Sequence, residues 1–525
     1  MTGSVGGPVT MNAEERLDDL LTRAARTHPD RPALVDGDRS WTYGELDEAV
    51  SSLAGRLAEQ GVKPGDRIGV FIAKSAEAVI AIHAGLRAGT VVAPLDVRNP
   101  VVRISHMVRQ GGLTRLLTVA ASENVARKAV GGEEPPEVLP LEGGIGLLHT
   151  QEKAPAEPLP EPAREGGYVL FTSGSTGVPK GVLLSHSNVA HFAVWAAAET
   201  GLRPSDRIGS QAALTFDLST FDLFAAAVAG ACTVLMPERL KAFPADVVDW
   251  LTEQRITVLY AVPSLYVNML ERGGIGDAFP PGLRTLLYAG EPFPPRALEA
   301  WLRLAADRPV YNFYGPTETN VCTFLRLPAT WTAAQQATIG SAIPGDVVDV
   351  FDETGELTSE RGEIHVAGET VFLGYLVDGV LHDPTRQLRF RDGVVRRAYP
   401  TGDLGRRTSG GEIVLSGRKD SQIKRHGYRI DIGEIENVLL DSPEVRAAAV
   451  VAKTGAHEGE LWAYAQGTVS EREVLGLLRT QLPLYMVPDR AVVVSAFPLN
   501  ARGKIDRLTL AAEATSESSP LKETR

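Results

Sequence analysis

Three consecutive stretches near the N-terminus constrain this chain most: RIGVFIA (67–73), SAEAVIAIHAGLRAG (75–89) and TVVAPLD (90–96). The first and third are short, continuously apolar runs of the kind buried on both faces of a sheet. The second carries apolar residues at helical spacing and stops at Gly89, a residue suited to a helix C-terminus. A strand, a helix and a second strand in that order demand a parallel sheet with helices packed over it. A similar alternation recurs around CTVLMP (232–237), ITVLYAV (256–262) and LRTLLYAG (283–290).

The alternation does not run to the end. From 340 to 416 the pattern turns to short strands rich in glycine. After GRKDSQIKRHG (417–427) comes IDIGEIENVLLDSPEV (430–445), a helical pattern with Ile435, Val438 and Leu439 facing inward, followed by the strand-like AAAVVAK and ELWAYAQG. A chain of 525 residues exceeds one ordinary core. The expected fold class is therefore α/β: a large N-terminal domain of packed α/β sheets with a β-rich subdomain, then a small mobile C-terminal α+β domain. The expected divisions are a flexible N-terminus at 1–14, a core at 15–418, a lid domain at 419–512 and a disordered tail at 513–525. Asn12 and Glu15 have capping-box spacing ahead of Leu17, Leu20, Leu21 and Ala24. KAPAEPLPEPA (153–163) reads as an exposed connector.

Several function classes fall away. The net charge is −12 with no basic block, which argues against a nucleic-acid partner. The longest apolar run, Phe224 to Met236, is 13 residues and too short for a membrane span. The N-terminus has no charged start leading into an apolar stretch, so it is no signal peptide. Two cysteines, Cys232 and Cys322, make neither a disulfide framework nor a metal cluster, and they point to the cytoplasm. The ten histidines include no pair at metal-ligand helical spacing.

YVLFTSGSTGVPKG (168–181) drives apolar residues into glycines, hydroxyls and a lysine. It is not the P-loop motif, because two residues separate Gly174 from Gly177 and Pro179 precedes Lys180. The strand-like GVLLS follows, so the loop joins two strands. Its backbone N–H groups, the hydroxyls of Ser173, Ser175 and Thr176, and Lys180 suit an anion. An ordinary hairpin tip is the competing explanation.

Five further segments accompany the loop: FDLSTFDLF (216–224), YNFYGPTETNVC (311–322), YPTGDLG (399–405), GRKDSQIKRHGYRIDIGEIE (417–436) and PLNARGKIDRL (498–508). In this order and at these distances the chain resembles the adenylate-forming enzymes, most closely the amino-acid adenylation domains of nonribosomal peptide synthesis. The likeness spans about residues 15–510. It implies two half-reactions: an amino-acid carboxylate attacks the α-phosphorus of ATP in the presence of Mg²⁺, and a phosphopantetheine thiol of a carrier protein then takes the aminoacyl group.

The resemblance assigns roles by position. Thr172, Ser173, Gly174, Ser175, Thr176, Gly177 and Lys180 would hold the phosphate tail of ATP. Thr317 and Glu318 would meet the α-phosphate, with Glu318 on Mg²⁺. Gly290, Glu291, Asn312, Phe313, Tyr314 and Gly315 would surround the nucleotide. Asp403 and Arg418 would serve the ribose, and Lys504 would bridge the reacting carboxylate and phosphate oxygens. Asp420 would be the hinge, and the segment from Lys424 to Gly427 would line the thiol tunnel. Asp217 would pair with the substrate ammonium, in a pocket of Leu218, Phe221, Tyr260, Leu287, Ala289, Phe313, Val321 and Cys322.

That lining is apolar, and its three aromatic residues are bulky. A small neutral amino acid is expected, with L-alanine first, then L-proline, glycine and L-serine. The string is similar to pockets of stand-alone enzymes that activate L-proline, but has Phe at 221 and 313 where Leu is expected. No carrier attachment motif follows Leu510 and no condensation domain precedes, so a separate carrier protein is the expected partner. Two alternatives stand beside this reading: an acyl- or aryl-CoA ligase of the same superfamily, and a non-catalytic carrier-binding homologue.

Overall fold

The structure is a computed structural model. It describes residues 16–131, 136–152, 159–160, 166–173, 178–419, 422–425, 427–453, 459–499 and 505–513. The capping-box pair, most of the connector at 153–163 and nearly all of the expected tail lie outside the described residues, as do Gly174–Gly177, Asp420 and Lys504.

The chain divides into two compact units. The larger is built from Met1–Val97, Val108–Phe171 and Gly181–Lys419. The smaller takes Arg98–Met107, Thr172–Lys180 and Asp420–Arg525. The fold class is α/β, as the strand–helix–strand alternation requires.

The opening alternation becomes the strand Arg67–Phe71, the helix Ala76–Arg87 and the strand Val91–Pro94. The two strands pair in parallel, Ile68 opposite Val92. Ser75 caps the helix by accepting from Ala78 N–H, and Gly89 follows its end at φ 75°. These strands belong to a nine-stranded sheet that also contains Gly167–Thr172 and Lys180–Ser185.

A second nine-stranded sheet positions the candidate site. Its order is Ser341–Ala342, Thr323–Arg326, Val310–Tyr314, Thr285–Tyr288, Val258–Ala261, Arg207–Ser210, Cys232–Leu235, Pro32–Asp36 and Arg39–Thr42. The six strands from Val310–Tyr314 to Pro32–Asp36 are parallel, and antiparallel strands flank them at both edges. The glycine-rich region forms an antiparallel five-stranded sheet around the long strand Val395–Arg407.

The apolar run from Phe224 to Met236 is not one element. A helical segment ends at Ala229, Gly230 takes φ 66°, and the strand Cys232–Leu235 begins. A Cβ at Gly230 would lie 2.3 Å from the His28 ring, so glycine serves both the turn and the packing there.

The smaller unit pairs Gln422–Arg425 with Tyr428–Asp431 and continues into the helix Ile432–Leu440. Ile435 and Leu439 of that helix are buried, while Val438 is half-buried against the same cluster. A three-stranded sheet of Val445–Ala452, Leu461–Gly467 and Arg490–Val493 completes its core. Among the described residues, no helix is long and apolar enough to cross a membrane.

Candidate active site

In open parallel sheets, ligand-binding residues gather at the carboxyl ends of the strands. Three adjacent strands here are Val258–Ala261, Thr285–Tyr288 and Val310–Tyr314. Tyr260 stands opposite Leu287, and Leu287 opposite Tyr311. Side chains alternate faces along a strand. Tyr260, Leu287, Ala289, Tyr311 and Phe313 accordingly join one core, while Leu259, Ala261, Leu286, Tyr288 and Val310 join another. The expected pocket residues of these strands thus share one face.

The segment Asp217–Ala225 lies over that face. A single helical turn, Leu218–Thr220, runs into a π-helical turn at Phe221–Ala225. Such widened turns recur at functional sites. Phe221, Tyr260 and Phe313 are all buried. Phe221 meets Tyr260 edge to face at 5.4 Å, and Tyr260 meets Phe313 likewise at 5.7 Å. Trp195 packs behind Phe313 at 5.2 Å.

Asp217 is half-buried. Burial holds the Tyr260 hydroxyl well above its ordinary pKa, and the charges of Asp217 and Asp222 add to that effect. The Asp217 carboxylate is therefore within electrostatic reach of the Tyr260 hydroxyl, in an otherwise apolar lining.

After Tyr314 the chain turns sharply through Gly315 and Pro316 into the short helix Thr317–Thr319. It returns with Val321 and Cys322 beside the strand it left, and Cys322 N–H donates to Tyr314 O at 2.9 Å. A Cβ on Gly315 would sit 1.9 Å from Asn320 O, so the turn closes only around glycine. Asn320 pays with φ 51° and ψ −107°, an unusual backbone for a side chain of its size. Its amide donates to Thr220 Oγ1 at 2.8 Å, and Thr220 Oγ1 donates to Asp217 O at 2.6 Å. One hydrogen-bonded path thus joins the Thr317–Glu318 segment to the Asp217 segment. Val321 and Cys322 are buried, and burial pushes the Cys322 thiol far up.

Glu318 is 1% exposed. Its Oε1 accepts from Tyr375 OH at 2.6 Å, and its main-chain oxygen accepts from Phe372 N–H at 2.9 Å. Asp403 is also buried. Its Oδ2 accepts from Tyr314 OH at 2.7 Å, and its Oδ1 accepts from Arg418, its cross-strand partner. Burial, then the Asp403 charge, holds the Tyr314 hydroxyl well above the usual phenol range.

The other expected nucleotide residues are tied into the fold. Asn312 Nδ2 donates to Thr338 O at 3.0 Å, and Glu291 Oε2 accepts from Ser264 N–H at 3.0 Å. Gly290 links Glu291 to the strand end at φ 90°. In the smaller unit, Ser173 Oγ donates to Arg429 O at 2.7 Å and accepts from Asp431 N–H at 3.1 Å. Thr172 ends the strand Gly167–Thr172, Lys180 begins Lys180–Ser185, and both are half-buried. Lys424 stands opposite Arg429, with Gly427 at φ 82° in the intervening turn.

Behind the pocket, Asp222 follows Phe221 and is fully buried. Its carboxylate oxygens and Ser210 Oγ lie outside well-formed hydrogen-bond geometry, and the neighbouring Ser210 hydroxyl only partly offsets the cost of burial. Lys74 is the opposing charge, and its Nζ donates to Ser210 O. Burial raises the Asp222 pKa and lowers that of Lys74, and their mutual attraction opposes both shifts.

Among the described residues, no cluster of three or more His, Cys, Asp or Glu is arranged to cage a metal. Glu318 offers a carboxylate, a hard oxygen donor. That fits Mg²⁺, which often takes only one or two protein carboxylates and completes its shell with phosphate and water.

Sequence reading did not single out Asn320, Thr220, Tyr375, Tyr399 or Trp195. Asn320, Thr220 and Tyr399 lie inside the motifs YNFYGPTETNVC, FDLSTFDLF and YPTGDLG. Tyr375 and Trp195 carried no local signal.

Residues 21–376 match the AMP-binding enzyme family, and residues 434–504 match the AMP-binding enzyme C-terminal domain. An L-proline–[L-prolyl-carrier protein] ligase of Pseudomonas fluorescens is 32% identical, over 95% of this chain and 99% of its own. A Streptomyces coelicolor protein of the same name is 35% identical, over 93% of this chain and 94% of its own. In three dimensions, the Vibrio cholerae adenylation domain AlmE, solved with glycyl-adenosine-5′-phosphate, superposes with a TM-score of 0.79. It covers 97% of this chain and 99% of its own at 24% identity, a likeness of fold.

Proposed function

The chain belongs to the AMP-binding enzyme family, and from that premise we propose that it activates a small neutral amino acid and passes it to a carrier protein, with L-proline the first candidate. The observation that carries this reading is that Asp217 heads the turn leading into Phe221, whose ring packs on Tyr260 and through it on Phe313. A buried ammonium needs a counter-charge. A carboxylate at about 4 Å supplies roughly 4 kcal/mol at an effective dielectric near 20. A plain acyl or aryl acid brings no cation for the Asp217 carboxylate to meet, which weighs against a CoA ligase.

The aromatic residues set the size class. Counted at their full volume against the depth of the pocket, they favour L-alanine. Edge-to-face contact among the three rings spends part of that volume between the rings themselves. L-Proline then moves ahead of L-alanine, glycine and L-serine. The two relatives named for L-proline, matched over nearly their whole lengths, support that order.

In the proposed first step, the substrate carboxylate oxygen bonds to the α-phosphorus of ATP as the bond to pyrophosphate breaks, leaving aminoacyl-AMP. Thr317 and Glu318 serve the α-phosphate, and Tyr314 bounds the adenine. Asp403, braced by Tyr314 and Arg418, receives the ribose hydroxyls. Glu318 would hold Mg²⁺, whose contribution is to neutralise phosphate charge. Lys504 stabilises charge on the reacting oxygens. In the second step, a phosphopantetheine sulfur bonds to the acyl carbon as the bond to AMP breaks. Asp420 is the hinge between these steps, and the segment at Lys424–Gly427 guides the thiol arm. Both cysteines are free and buried, which suits a reducing cytoplasm.

Amino-acid-dependent pyrophosphate exchange across the proteinogenic set tests the reading. L-Proline is expected to lead, with small neutral neighbours trailing by tenfold or more. Asp217→Ala is expected to lower kcat/KM for the best amino acid by about three orders of magnitude. A preference for a large or charged side chain, or an unchanged Asp217→Ala enzyme, contradicts it. Exchange driven by plain acids selects the CoA-ligase alternative, and no ATP turnover at all selects the non-catalytic one.

A further inference from the structure

One short segment grips Glu318 at two points. Phe372 N–H donates to its carbonyl oxygen at 2.9 Å, and three residues later Tyr375 OH donates to Oε1 at 2.6 Å. Tyr375 OH also lies 2.9 Å from Tyr399 OH. The direction of the protons follows from chemistry. An ionised carboxylate can only accept, so Tyr375 gives its single proton to Glu318. The Tyr375 oxygen is then the acceptor, and Tyr399 the donor, in the second bond. Hydroxyls linked in this way strengthen one another.

The relay is rigidly mounted. Tyr375 lies in the strand Gly374–Val377, with Val182 as its cross-strand partner. Tyr399 lies in Val395–Arg407, the strand that also carries Asp403 four residues on. The Phe372 ring packs edge to face on both tyrosines, at 4.9 Å and 5.1 Å. Two strands from different sheets therefore meet in the hydroxyl pair behind one carboxylate oxygen. Packing alone would need neither hydroxyl.

We propose that Tyr375 is a positioning residue that fixes the rotation of the Glu318 carboxylate toward the nucleotide's metal–phosphate group, and that Tyr399 sets the direction of the Tyr375 proton. This rests on the role given to Glu318 above. Partners behind a metal-binding carboxylate typically change metal affinity by about 10- to 100-fold when removed. Tyr375→Phe keeps the ring and its contacts and deletes only the donor.

The test measures Mn²⁺ affinity by electron paramagnetic resonance in the full-length protein with a non-hydrolysable ATP analogue. Metal-free AMP affinity is measured alongside. Tyr375→Phe is expected to weaken Mn²⁺ by about tenfold or more and to leave AMP affinity unchanged. Tyr399→Phe should weaken Mn²⁺ by a smaller factor, and the double variant should match Tyr375→Phe alone. Glu318→Gln should weaken it most. If Glu318→Gln weakens Mn²⁺ and Tyr375→Phe does not, the relay is wrong and the role of Glu318 stands. If Glu318→Gln has no effect, the role of Glu318 falls first, and a Tyr375→Phe loss on that background overturns the relay as well. Should Tyr375→Phe fail to fold, an unchanged Mn²⁺ affinity in Tyr399→Phe overturns the relay by itself.

Discussion

A carboxylate buried without well-formed hydrogen bonds is costly, and Asp222 is held there chiefly by the charge of Lys74. Removing one member strands the other. Lys74→Met is expected to destabilise the protein by about 3–5 kcal/mol, and Lys74→Met combined with Asp222→Leu to recover most of that. Urea denaturation of the two single variants and the double variant measures the coupling. Asp346 makes a second, pH-dependent case. Burial lifts its pKa from 3.8 to about 6, despite the bonds it accepts from Thr370. A raised carboxyl pKa means that the folded state binds the proton more tightly than the unfolded chain. Its contribution is therefore present at low pH, drains away between about pH 4 and 6, and is absent above. The span of about two units corresponds to about 3 kcal/mol. Asp346→Asn should flatten the stability profile across that window, as thermal denaturation from pH 4 to 7 would register.

The turn from Gly315 to Asn320 joins a rigid strand to a strained residue. Asn320→Gly should relieve about 1–3 kcal/mol of backbone strain, partly offset by the added freedom of the unfolded chain. It also deletes the amide that reaches Thr220, so the KM for the amino acid should rise. Thermal stability and substrate KM, measured on one variant, are expected to improve and worsen respectively. That opposition explains what the sequence could and could not reveal. Strand–helix–strand periodicity and a helix-ending glycine at position 89 are local signals, and the α/β class followed from them. Tyr260, Leu287 and Phe313 could be listed together by family position. Their shared face depends on a three-strand register that no single segment encodes. Tyr375 and Tyr399 meet across different sheets, and their hydroxyls carry no spacing rule. The run from Phe224 to Met236 looked uniform, because hydrophobicity does not reveal the φ of Gly230.

At the scale of the whole molecule, the proposal divides labour between two half-reactions. On that proposal Lys504 would serve the first alone. Lys504→Ala should lose amino-acid-dependent pyrophosphate exchange by about 10²-fold or more, the scale of deleting one transition-state donor. Loading of a carrier from supplied aminoacyl-AMP should persist, and radiolabel transfer would follow it. Equal loss of both steps contradicts the division. The alternation along the three central strands bears on ancestry as much as on chemistry. Positions 260, 287, 289 and 313 belong to one hydrophobic cluster and positions 259, 261, 286 and 288 to another. A lineage could rewrite its choice of monomer by drifting at every second site, while the intervening sites stay under a separate selection for foldability.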